Sequence, residues 1–346
     1  MAYASITKPS LYFNTKLWTG TGSNGNAISG VGFAPDLVWV KNRSETFDNV
    51  LFDRVRGDNK HVESNNNSVE ENEANTLAFG SDGYSVGTNT LNKSGNNIVG
   101  WNWKANGTGS SNTAGSINTT YTSVNTTAGI SISTYTGTGS TGTIGHGLGA
   151  IPNTIWVKKT SAADDWFIWH TALGAQGKIN FNNTSAVQNN TGYWNNTLPT
   201  NQVFSVTSNG ANNASGNIYV AYCFTDIKGY SKFGTYTGNG NANGAFVYTG
   251  FKPAWILIKT TDLAGNNWQM YDNKREGYNS QNDLLRANVT DAEGNGTDPI
   301  DILSNGFKMY NTAGSANQSG GTYIYMAFAE EPLVANVGAS IPATAR

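Results

Sequence analysis

The residues of this 346-residue chain that could do chemistry are few and scattered. Three histidines, His61, His146 and His170, could bind a metal or move a proton, but no two stand at a spacing that pairs imidazoles on one ion. Acidic residues gather at Glu70, Glu71 and Glu73 and again at Asp164 and Asp165. Glycan cleavage needs two opposed carboxylates with separated pKa values, and these acids lie in polar loop sequence where a solvated edge is expected. Gly145-His146-Gly147-Leu148-Gly149 precedes an apolar strand and lacks the Gly-Lys-Ser/Thr ending of a phosphate loop, so it reads as a turn. Asp291, Glu293, Asn295, Gly296 and Asp298 resemble the start of a calcium loop, but Ile302 stands where a bidentate acid is wanted. The single cysteine, Cys223, sits between large apolar residues and reads as a packed thiol. No catalytic, cofactor-binding or metal site is expected, and the protein is read as a non-enzyme.

What recurs along the chain is a frame. A Gly/Pro turn followed by an apolar strand, with lysine six residues after the proline, occurs three times: Gly32 to Lys41, Gly149 to Lys158 and Gly250 to Lys259. An aromatic–polar pair follows each strand, Phe52-Asp53, Trp169-His170 and Tyr271-Asp272, and His170 takes the slot that holds aspartate elsewhere. Each repeat closes on an apolar run beginning at Ile98, Ile218 or Tyr323. A lead-in, Thr134-Tyr135-Thr136-Gly137 and Thr235-Tyr236-Thr237-Gly238, opens the later two repeats and is looser at Trp18-Thr19-Gly20. These anchors place domains at 1–105, 129–228 and 229–332. The stretch 106–128, rich in Gly, Ser, Thr and Asn, is expected to be a flexible or extended linker, and 333–346 an extended C-terminal tail pinned to a neighbour.

Short runs of Val, Ile, Thr and aromatics between Gly, Asn, Asp and Ser predict an all-β chain of three tandem β-sandwich domains, jelly-roll or lectin-like. The one weak helical pattern lies around Asn67 to Leu77. Strand alternation sends Val38 and Val40, Ile155 and Val157, Ile256 and Ile258 into the core. The opposite face carries Trp39 and Lys41, Trp156 and Lys158, Trp255 and Lys259. Because lysine prefers to keep its ammonium in water, that face is expected to be partly open or covered by a partner or loop. These six residues are the candidate partner-contact face, for domain packing, a subunit interface or sugar.

Charged residues make up 13% of the chain and the net charge is −2, which excludes a basic nucleic-acid footprint. Low charge and abundant Asn and Thr suit a surface whose stability depends little on screened ion pairs. No apolar leader occurs at the N-terminus and no segment reaches the length of a membrane span, so cytoplasmic synthesis without membrane insertion is expected.

Several segments resemble repeated domains in structural proteins of tailed bacteriophages, often marine ones. They are Ile6-Thr7-Lys8-Pro9-Ser10-Leu11-Tyr12-Phe13-Asn14-Thr15-Lys16, the block Val31 to Ser44, Ala327-Phe328-Ala329-Glu330-Glu331-Pro332 and Ile341-Pro342-Ala343-Thr344-Ala345-Arg346. The Gly-Phe-x-Pro-Asp strand is the most specific of these, intact in the first repeat and relaxed to Ala150-Ile151 in the second. The resemblance implies a virion component assembled in the host cytoplasm: a multi-copy head decoration or tail appendage that contacts capsid or tail proteins and copies of itself. A host-adsorption fibre that binds a surface glycan is the alternative. The resemblance implies no catalytic residue, no cofactor and no metal, and repetition itself supplies multivalency.

Overall fold

A computed structural model describes residues 4–87 and 90–334, so the tail expected over 333–346 lies, beyond Val334, outside the described residues. The chain is all-β. The first repeat contributes β1 (Phe13–Thr19), β2 (Asn26–Ser29), β3 (Leu37–Asn42), β4 (Val50–Asp53), β5 (Lys60–Glu63), β6 (Glu71–Asn72), β7 (Leu77–Phe79), β8 (Gly83–Val86) and β9 (Asn97–Trp103). The second contributes β10 (Thr119–Asn125), β11 (Ile130–Thr136), β12 (Gly142–Gly145), β13 (Thr154–Lys159), β14 (Phe167–His170), β15 (Gly177–Lys178), β16 (Gln188–Asn189), β17 (Val203–Val206) and β18 (Ile218–Phe224). The third contributes β19 (Ser231–Thr237), β20 (Phe246–Tyr248), β21 (Phe251–Thr260), β22 (Gln269–Asp272), β23 (Gln281–Arg286), β24 (Gly294–Leu303), β25 (Gly306–Met309) and β26 (Thr322–Pro332).

One strand order runs through all three sheets. Lead-in strand, closing strand, proline-headed strand and aromatic–polar strand lie side by side as β1-β9-β3-β4, β11-β18-β13-β14 and β19-β26-β21-β22. Every pairing is antiparallel. A smaller ladder faces each sheet, pairing Ile28 with Tyr84, Ile144 with Phe204 and Val247 with Phe307. In the third repeat these strands join the main sheet, which folds over as one eight-stranded ribbon.

Between each main sheet and its facing ladder lies a separate apolar cluster. The β-branched offsets enter it as expected: Val38 and Val40 in the first, Ile155 and Val157 in the second, Ile256 and Ile258 in the third. A fourth and larger cluster lies between the repeats and takes the other face of the same strands. The proline-headed strands are buried along their whole length on both faces.

Two local expectations are overturned. The segment around Asn67 to Leu77 is no helix: it runs through β6 and a turn into β7, because its apolar residues are too sparse to form a buried stripe. The only α-helix among the described residues is the single turn Gly210–Asn213, capped by the Asn209 side chain, which accepts from the Ala211 N–H. The stretch 106–128 is also not a free linker. It supplies β10, which adds to β11 as the edge of the second main sheet, with Ser110 bridged to Thr122 and Ile117 to Ile144.

Gly109 tests that placement, because its φ is +72° and a Cβ built there would lie 2.2 Å from the Thr122 carbonyl oxygen. Gly109→Ala is expected to destabilise the protein by about 2 kcal/mol or more, read from the urea unfolding midpoint, whereas a flexible linker would leave the midpoint unchanged.

Candidate functional site

Trp39, Trp156 and Trp255, candidates for domain packing, a subunit interface or sugar contact, pack against the other repeats of the same chain. All three are buried in the cluster between repeats, where seven of the ten tryptophans gather: Trp39, Trp101, Trp103, Trp156, Trp166, Trp255 and Trp268. Trp39 lies at the middle, its ring centroid 6.0 Å from Trp156, 6.1 Å from Trp255, 6.2 Å from Trp101 and 5.7 Å from Phe181. Most of these pairs are edge-to-face or tilted, the arrangement that suits aromatic quadrupoles. Of the alternatives for that face, open to water or covered, the structure shows it covered: faces this rich in indole are too apolar to leave in water, and the three cover one another.

The lysines follow the tryptophans inside, and Lys41, Lys158 and Lys259 are each 0% exposed. Backbone carbonyls replace the lost water. Lys41 Nζ donates to the Phe47 carbonyl of its own repeat and, at 2.8 Å, to Thr290 of the third. Lys158 Nζ donates to Asp164 of its own repeat at 2.7 Å and to Asn67 of the first at 3.1 Å. Lys259 Nζ donates to Asn266 of its own repeat at 2.5 Å and to Thr184 of the second at 3.5 Å. The shared carbonyls also accept backbone N–H groups: Thr290 from Phe47, Asn67 from Asp164 and Thr184 from Gly265. Two residues beyond each lysine, the carbonyls of Arg43, Thr160 and Thr261 accept from the N–H of Glu293, Glu70 and Val187.

The sense is the same throughout: first repeat to third, second to first, third to second. Three heterologous contacts of one kind thus close into a ring within one chain, the arrangement a cyclic trimer makes between subunits.

A second set of buried polar groups sits at the ring's junctions. Asp53 of the first repeat pairs with Arg56 at 2.5 Å and accepts from the Tyr222 hydroxyl of the second at 2.7 Å. Asp272 of the third pairs with Arg275 at 2.6 Å and accepts from the Trp101 indole N–H of the first at 3.0 Å. Burial alone would raise the Asp272 carboxyl, but Arg275 and the donors around it hold it below its ordinary value. Tyr222 and Trp101 occupy matching positions of β18 and β9, and the matching residue of β26 is Met326. There the third junction changes chemistry. His170 replaces the aspartate and Leu173 the arginine, and Met326 lines a small void with His170, Trp156 and Trp268. Burial pushes His170 down to about 4, so its imidazole is neutral and needs no counter-ion.

The other residues able to do chemistry lie apart from the junctions or are tied up within the fold. Glu293 forms ion pairs with Arg43 and Arg275 at 2.6 Å each, and the chain of the calcium-like segment from Gly294 on is strand β24. Cys223 is buried and its thiol is pushed up to about 12 by desolvation. His146 is buried, with Nε2 3.1 Å from the Thr200 carbonyl oxygen. The sequence reading missed one grouping: β5 and β6 bring a ligand atom from each of His61, Glu63 and Glu71 within 4.8 Å of one another. The His-x-Glu spacing on a strand was the available signal, since residues two apart share a face. Exposed aromatics outside the core include Phe246, Tyr248, Tyr278 and Tyr310.

The lysine clamps predict an unusual pH dependence. Burial lowers Lys41, Lys158 and Lys259 to about 8 from 10.5. Between those values the unfolded chain binds more protons than the folded one, so stability rises with pH. Each lysine has two carbonyl acceptors and a neutral amine keeps two N–H donors, so the bonds survive deprotonation. From pH 7 to pH 9 the protein is expected to gain about 1 kcal/mol per clamp lysine, seen as a rising urea midpoint, and Lys41→Met should remove its share of that rise.

Comparison with curated proteins yields no match, and comparison with solved structures yields none either. One family model matches residues 8–332 and so spans all three repeats together: the chain belongs to the family described as a domain of unknown function, DUF7483.

Proposed function

We propose that this chain is a non-enzymatic structural protein of a bacteriophage particle, present in many copies as a head decoration or tail appendage. Its three repeats are tandem β-sandwich domains of the jelly-roll or lectin-like kind. The observation that carries the reading is the ring: the residues most suited to recognition are used to lock three repeats into one block. The largest apolar cluster and the buried Asp53–Arg56 and Asp272–Arg275 pairs lie at the junctions, and the chain as a whole carries little charge to present outward. Such a block suits repeated contacts with capsid or tail proteins and with copies of itself, each weak and jointly strong. The sequence likeness to phage structural proteins supplies the setting, a virion assembled in the host cytoplasm.

A second reading, adsorption to a host-surface glycan, has one specific observation in its favour. On β20 the inward residue Val247 is flanked by Phe246 and Tyr248, which are 48% and 59% exposed. Matching positions of the other repeats carry Ala27 and Ser29, then Thr143 and Gly145. Lys308 pairs with Phe246 across the ladder and stands 5.0 Å over the Tyr310 ring, so the third repeat presents an aromatic and polar platform.

Particles purified from a lysate that expresses the protein provide the test. The chain is expected in their mass-spectrometric inventory at many copies per particle, with a three-lobed density on the head or tail in a reconstruction. Its absence from washed particles would sink the virion reading. Glycan-array binding that disappears in Tyr248→Ala would select the adsorption reading instead.

A further inference from the structure

We propose that His61, Glu63 and Glu71 form a binding site for a divalent transition-metal cation of the zinc type. His61 and Glu63 project from the same face of β5, and Glu71 stands opposite His61 in the register of β5 with β6. The His61 Nε2 to Glu71 Oε2 distance is 3.6 Å, and all three donor atoms lie within 4.8 Å of one another. Ligands around a four-coordinate zinc stand roughly 3.3 Å apart, given bonds near 2.0 Å, so a small swing of the exposed Glu71 side chain completes the set. Three protein ligands then leave one position for water.

The electrostatics of the corner favour a cation. Glu63 is buried, and burial together with the nearby carboxylates of Asp48 and Glu71 opposes its ionisation. Its hydrogen-bond donor is the Asn66 side-chain amide. The Lys158 ammonium favours the ionised form, but it is already held by the carbonyls of Asp164 and Asn67. His61 is 4% exposed and burial keeps its imidazole neutral, the form that ligates a metal; Arg56 adds to that effect, while Glu71 and Glu73 oppose it. Nδ1 is buried with no full hydrogen bond, and the backbone of Asn59 also acts on the ring.

Comparison of the repeats supplies an independent argument. Val62, Ile179 and Leu285 occupy one register position, opposite Leu51, Ile168 and Met270. The residues flanking them are His61 and Glu63 in the first repeat, Lys178 and Asn180 in the second, and Leu284 and Arg286 in the third. The second repeat places a lysine here, whose ammonium donates to Asn180 at 2.8 Å, and the third places an arginine. The first repeat has a neutral imidazole and carboxylates in their place, a set of metal-ligating groups where the other repeats place a cationic side chain. An imidazole ligand selects a zinc-like ion over calcium or magnesium, which take oxygen donors. The bound ion would pin β6, the outermost strand, to β5.

The test is calorimetric titration of the full chain with zinc chloride, beside Glu71→Gln and His61→Asn. One ion per wild-type chain is expected, with binding weakened at least tenfold in Glu71→Gln and an upward shift of the wild-type melting temperature that calcium does not reproduce. Glu71 is exposed, so its variant should keep the wild-type far-ultraviolet circular dichroism spectrum and decides the matter even where His61→Asn fails to fold. A wild-type chain that takes no zinc, or a Glu71→Gln chain that binds it as tightly, overturns the site.

Discussion

Everything in this protein hangs on the mutual burial of three strand faces that could not be left in water. Each proline-headed strand is apolar on one face by its β-branched residues and on the other by its tryptophan, so a repeat folded alone would close one core and expose another. Burying an indole removes about 150 to 250 Å² of surface, and at roughly 25 cal/mol per Å² the seven gathered here represent a large share of the driving force. Placing three repeats on one chain supplies the covering surface at high effective concentration and fixes its stoichiometry. The heterologous sense of the contacts then matters: head-to-tail contacts of one kind either close or run on as a filament, and with three repeats they close.

The lysines show how such an interface gains direction as well as area. An apolar face alone would tolerate sliding, whereas an ammonium that must find two carbonyls, one from its own repeat and one from its neighbour, fixes both register and partner. Desolvation is the cost, visible in the lowered affinity of all three for their protons. The junction aspartates follow the same logic, each held by an arginine of its own repeat and a donor from the next. Where Met326 removes the donor, the acid and the arginine are both absent, since an unsatisfied buried carboxylate would cost far more than a neutral histidine. That is three linked changes at one junction, made without disturbing the backbone bonds beside it.

Much of this was legible in the chain. The repeated strand, the inward offsets and the closing strands of each sheet follow from spacing and alternation, because period-two patterning and Gly/Pro punctuation are local signals. The destination of the Trp and Lys face was not, because sequence alternation says which residues share a face and nothing about what covers it. A lysine is read as a solvent marker by its charge, yet its three N–H donors suit it to capping carbonyls in a buried seam. The stretch 106–128 misleads for a related reason: composition suited to a linker is equally suited to an edge strand whose partners are backbone groups. The His61 corner depended on the pairing of β5 with β6, a two-residue strand that no pattern in the sequence marks.

Fusion into one chain also frees the repeats from identity. In a trimer of separate subunits, any substitution at an outward position appears three times, and a change at one junction is forced on all. Here the third repeat carries Phe246 and Tyr248 where the others carry small residues, the second alone has the histidine and methionine junction, and the first alone gathers an imidazole with two carboxylates. These differences lie at positions the repeats share, while the carbonyl and lysine seam is common to all three. Divergence at the outer strands and at one junction, over a shared seam of lysines and carbonyls, is what an internally covered core permits: the shared interactions bear the stability, and the outer positions can vary one repeat at a time.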